Sequence, residues 1–201
     1  MPITVDQVTA LLNGLKIDFR PSPHSPNDLL IPVPTDCYLS TAGERVLWIV
    51  VAVASDGRHL ELFTPQVLNT SDCKYKAALF GALLQSALFT RHIQTEHHPD
   101  SGEVRFACSV PVCDGTVTPE QVMCMLRDLV GFSEQLFPVF RHAMDTGKVD
   151  FGLAWKRPEP TTQANTPAAI PQEIRELIER AGGLERVDEI IKRLRAQGSP
   201  S

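Results

Sequence analysis

The sequence carries none of the compact signatures of catalysis. It has no GxSxG, no glycine-rich phosphate loop, no HExxH and no DxDxDG, so the short motifs of serine hydrolysis, nucleotide use, zinc proteolysis and calcium binding are missing. Cysteines at CxxC spacing are missing too. Cys37, Cys73, Cys108, Cys113 and Cys124 are scattered and odd in number, unlike a disulfide framework or a structural zinc site. They are expected to be small apolar fillers in a reduced compartment. No metal and no cofactor are expected. Long apolar runs are also absent: the longest, VLWIVVAVA, covers only 46–54, where a membrane helix needs about twenty residues. The start, MPITVDQVTALLNGL, has no basic stretch followed by an apolar one, as a secretory signal would. The expectation is a cytoplasmic protein with no membrane partner. Positive charge is scarce as well. With 19 Lys and Arg against 24 Asp and Glu, and a net charge of −5, the chain lacks the basic surface that nucleic acid requires.

What is present is ordinary globular material. The chain has 201 residues, 43% hydrophobic and 21% charged, which is enough for one sizeable core. Thr4 and Gln7 form a capping box, and Val8, Leu11, Leu12 and Leu15 follow at helical spacing. Prolines crowd residues 20–36, which confines the short run Leu29 to Val33 to an edge strand or extended coil. Residues 45–55, RVLWIVVAVAS, suit a central strand buried on both faces, and Asp56-Gly57 turns the chain back into a partner over Arg58 to Phe63.

A second helix is predicted from Cys73 to Arg91, capped by Thr70-Ser71-Asp72. Its residues are apolar around nearly the whole circumference, so it must be covered on both sides. One side can lie on the sheet. The other needs another helix or a second copy of the chain. Tyr75, Leu79, Phe80 and Leu83 are the candidate interface on that exposed side. Alternatively, the C-terminal segment or the first helix covers it within the monomer.

The stretch EHHPDSGE (96–103) concentrates histidines and carboxylates and so resembles a metal or acid–base cluster. Its flanks decide otherwise. Ile93, Thr95 and His97 alternate with Gln94, Glu96 and His98, and Val104, Phe106, Cys108 and Val110 alternate with Arg105, Ala107 and Ser109. That is the period of two strands, with Pro99-Asp100-Ser101-Gly102 as the turn. Adjacent His97 and His98 then point to opposite faces. The stretch reads as a hairpin tip.

Thr118, Pro119 and Gln121 start a long helix whose buried face is Val122, Leu126, Leu129, Ser133, Leu136, Phe140 and Met144. Pro138 should kink it or begin a separate final turn. Val149, Phe151, Leu153 and Trp155 alternate as one more extended segment. The predicted fold class is α+β: an antiparallel sheet packed with helices in the order helix, three strands, helix, two strands, helix.

Over residues 4–146 this pattern resembles the YbjN family, within the superfamily of type III secretion chaperone-like domains. The likeness is carried by the apolar helix end at Leu83, by SGEVRFACSVPV, by the Thr-Pro-Glu-Gln start and by SEQLFPVF. The Pro-rich passage at 20–36 departs from it. The resemblance implies a sandwich, commonly dimeric among the secretion chaperones, that binds a polypeptide partner and catalyses nothing. The residues alone agree that no catalytic site is assembled in sequence. His24, His59, His92 and His142 are dispersed, and a cysteine–histidine enzyme would need the fold to bring its parts together.

The domain is expected to span 1–156. Residues 157–171, RPEPTTQANTPAAIP, form a Pro/Thr-rich linker. Residues 172–197 read as an amphipathic helical hairpin broken at Gly182-Gly183, with acids early and bases late in its second helix. Leu177, Ile178, Val187, Ile191 and Leu194 are its candidate partner-binding anchors. The tail then either folds back on its own domain or docks the chain into a larger assembly as a regulatory or scaffold subunit.

Overall fold

A computed structural model describes residues 2–23, 25–40, 42–90, 92–112 and 116–155. The first helix, α1, is Val5–Gly14 and starts on the expected capping box. Thr4 Oγ1 accepts the Gln7 N–H at 3.3 Å, and Gln7 Oε1 accepts the Thr4 N–H at 2.9 Å. Six strands follow in one sheet: β1 Arg20–Pro21, β2 Asp28–Pro34, β3 Val46–Val53, β4 His59–Asn69, β5 Gln94–His97 and β6 Glu103–Pro111. Their spatial order is β1-β2-β3-β4-β6-β5, and every pairing is antiparallel. Helix α2, Lys76–Ser86, lies between β4 and β5 in sequence, and α3, Pro119–Thr146, follows β6. Apart from the two-residue β1, this is the predicted element order in an α+β fold.

The register sorts the side chains into two faces. Leu29, Val51, Leu62 and Cys108 stand opposite one another across four strands. All four belong to one buried cluster with Val8 and Leu12 of α1, Leu79 and Leu83 of α2, and Leu129 and Phe140 of α3. All three helices therefore pack on that face. One position along, Leu30, Val50, Phe63 and Ala107 form the row on the other face. Val50 is buried there as well, as expected of a central strand.

The predicted face of α3 is buried throughout, from Val122 to Met144. Phe106 of β6 meets its rings, with centroids 4.9 Å from Phe132 and 5.7 Å from Phe140. Each such pair adds about 0.5–1.5 kcal/mol beyond the area it buries. Helix α3 is not divided at Pro138. Turn chemistry explains the β3–β4 hairpin. Gly57 adopts φ +64°, and a Cβ there would sit 2.4 Å from Pro2 Cβ, because the Ile3 N–H donates to the Gly57 carbonyl at 2.9 Å.

Four local expectations need correction. Strand β2 is interior only opposite Leu29 and Leu30, which β1 covers. Pro32 and Pro34 lie beyond that cover, where a missing N–H costs no ladder bond. Thr70-Ser71-Asp72 does not cap α2 but forms a 3-10 turn of its own, capped by Asn69. Helix α2 runs only from Lys76 to Ser86, and Tyr75 caps it without a side-chain hydrogen bond. Residues Phe151–Trp155 are a 3-10 turn rather than an extended segment.

Candidate protein-binding surface

Helix α2 and the turn that follows it, 87–89, carry two apolar ladders side by side. Leu79 and Leu83, with Ala82 and Ser86, face the core and are buried. Phe80, Leu84 and Leu88 follow Lys76 at intervals of four and face outward. Their exposures are 40%, 78% and 86%, and neighbouring Phe89 is 53% exposed. Two of the four residues expected on the exposed side are thus core residues. Leu79 and Leu83 are replaced there by Leu84 and Leu88. A helix apolar all round has almost no amphipathic contrast, so periodicity does not say which stripe points inward. A sequence clue is Lys76, a charge at the head of the outward ladder.

The other two expected residues are exposed at the edges of this patch. Tyr75 packs on the end of α3, donating its N–H to the Met144 carbonyl at 3.3 Å. Phe80 meets the His97 ring edge-on at 5.1 Å, and His97 Nε2 lies 3.3 Å from Thr70 Oγ1. The ladder is therefore held by β5 at one end. At the other end, Phe89 stacks on Phe151 at 5.0 Å and borders a groove of about 480 Å³ that also takes in Arg127, Asp128 and the exposed Trp155. Leu177, Ile178, Val187, Ile191 and Leu194 lie outside the described residues.

The stretch 96–103 is the β5–β6 hairpin tip, as read from its pattern. The His98 N–H donates to the Glu103 carbonyl and the Gly102 N–H to the His98 carbonyl, both at 2.8 Å. Gly102 supplies the left-handed φ of +72°. Glu96 is engaged by Arg105 at 2.5 Å. Among the described residues, no group of three or more His, Cys, Asp and Glu could hold a metal ion.

The cysteines among the described residues give little chemistry, and Cys113 lies outside those residues. Cys37, Cys73, Cys108 and Cys124 carry free thiols, and Cys73 and Cys108 are buried. Cys124 Sγ lies 3.6 Å from Asp128 and 3.8 Å from Arg127. Burial pushes the Cys108 thiol up, as do the negative charge of Asp128 and the nearby Cys124. Cys37 is pushed up by burial and then by Glu134. A raised pKa depletes the thiolate, the opposite of what a nucleophile needs. Among the described residues, no helix is long and apolar enough to cross a membrane.

No family model matches the chain, and no curated protein matches it. The fold is similar to that of solved structures. One is the HopA1–SchA chaperone–effector complex, at 11% identity and a TM-score of 0.42, covering 64% of this chain and 88% of the other. Another is YbjN from E. coli, at 12% identity and a TM-score of 0.45, covering 66% of this chain and 86% of the other. The family to which the sequence pattern pointed is represented among these neighbours. At such identities the likeness concerns the fold alone.

Proposed function

We propose that the chain is a non-catalytic protein-binding module, chaperone-like or regulatory in role, that pairs with a second copy through α2. The observation that carries this reading is the outward ladder Phe80–Leu84–Leu88 with Phe89 beside it. Scattered exposed apolar residues are ordinary, but a run of them along one side of a helix and into the turn that follows it marks an interface. A second copy suits this patch electrostatically. Lys76 is the only charged residue of α2, so two such helices meet with little like-charge repulsion despite the net charge of −5. Gly81 flanks the ladder, and a methyl group there would meet nothing within 4 Å. Glycine costs about 1 kcal/mol against alanine inside a helix, and its bare backbone lets a neighbouring helix approach closely. Size-exclusion chromatography with light scattering tests the pairing: Leu84→Asp with Leu88→Asp should convert a dimer to a monomer without loss of helix.

The C-terminal residues belong to the same proposal. The hairpin at 172–197 docks on a partner or on the second subunit, with Leu177, Ile178, Val187, Ile191 and Leu194 as anchors. Its support is the amphipathic pattern beyond a linker with four prolines. A chain ending at residue 156 should stay folded and lose a binding partner or a higher assembly. If it unfolds or aggregates while its partners are unchanged, the tail is core cover instead.

A further inference from the structure

Among the described residues, no helix packs on the second face of the sheet. A groove of about 580 Å³ lies there, and every residue lining it comes from a strand or a loop. Its floor crosses three strands with Leu30, Trp48, Val50 and Phe63. Arginines hold the two rings: Arg20 stands 4.3 Å over Trp48, and Arg105 stands 4.6 Å over Phe63 while paired with Glu96. The rim is acidic. Asp28, Glu44 and Glu103 line the groove against Arg20 alone. Glu103 accepts the Gln66 N–H at 3.0 Å. Among the described residues, Asp28 and Glu44 enter no ion pair.

We propose that this groove binds an extended, basic segment of another polypeptide. Apolar residues of the segment would lie on Trp48, Val50 and Phe63, and its lysines or arginines on Asp28 and Glu44. Charge complementarity selects that occupant. A second copy of the chain would bring the same surplus of carboxylates to a surface that already has it, and nucleic acid would be repelled. A small cation would leave the apolar floor wet. The floor crosses three strands and carries the flat rings of Trp48 and Phe63, on which an extended segment can lay alternate side chains. The inference rests on the reading of the chain as a protein-binding module, but it uses a surface that shares no residue with α2.

The test uses the full chain and two fluorescein-labelled peptides, Ac-KVKVKVK-NH2 and Ac-EVEVEVE-NH2, with fluorescence anisotropy at low and moderate salt. The lysine peptide should bind saturably and more weakly as salt rises, and the glutamate peptide should not bind. Asp28→Asn with Glu44→Gln should weaken the lysine peptide by about five-fold, whereas Leu84→Asp should leave it unchanged. Equal binding of both peptides, or of neither, overturns the proposal, as does an unaffected double variant. Displacement by equimolar spermidine overturns it too, because the site would then take small cations. If Leu84→Asp abolishes binding and the double variant does not, the groove is not the site, although the chain still binds protein through α2.

Discussion

Glu134, in the middle of α3, accepts the backbone N–H of Tyr38 at 2.9 Å across 96 positions of sequence. Its other oxygen accepts the N–H groups of Asp36 and Cys37, also at 2.9 Å. One carboxylate thus ties the loop after β2 to the longest helix, and Tyr38 seals the joint with its ring 4.9 Å from Phe137. Bonds to a charged acceptor contribute more than neutral ones. Glu134→Ala should therefore lower stability by about 2–3 kcal/mol in urea melts, and Glu134→Gln by less, since its amide oxygen still accepts. A loss of stability too small to measure for Glu134→Ala would show that solvent replaces these bonds at no cost.

The two ladders of α2 separate stability from association. Leu79→Ala should cost about 2–5 kcal/mol, because Leu79 is fully buried and the cavity collapses only in part. Leu84→Ala should change the stability of the monomer by no more than about 0.5 kcal/mol. Thermal melts at a concentration low enough to keep both variants monomeric decide it. Equal costs at the two sites would mean that α2 is seated with a different face inward.

Alkaline pH should weaken the fold. Cys37 and Cys108 are raised above their ordinary value of 9.0, and Tyr38 above 10.0, each with burial as the leading cause. A raised folded pKa means that above about pH 9 the folded chain holds more protons than the unfolded one, so stability falls as pH rises. Below that range the contribution is fully present. Urea midpoints should drop between pH 8 and pH 10.5, and the drop should shrink in Cys37→Ser and Cys108→Ala. An unchanged midpoint over that range would contradict the assignment.

Much of the fold was legible because its signals are local. Thr4 with Gln7 and Thr118 with Gln121 are capping boxes that need only four residues. The alternation around EHHPDSGE placed the β5–β6 hairpin correctly. The two-residue β1 has too little sequence to show a period. The inward stripe of α2 is hidden for a different reason: Leu79 and Phe80 are both strongly apolar, and only tertiary packing separates them. The Glu134 contact joins residues nearly a hundred positions apart, and no local pattern announces it. The acidic groove was invisible for the same reason, since Asp28, Glu44 and Glu103 meet only once the sheet is paired.

Sedimentation equilibrium of the full chain, from low to high micromolar, tests the central claim most directly. The outward ladder predicts a dimer for the wild type. Leu84→Asp with Leu88→Asp should sediment as a monomer with an unchanged circular dichroism spectrum. A wild type that stays monomeric at high micromolar concentration, or a double variant that remains dimeric, would contradict the assignment of α2 as the surface through which this chain pairs.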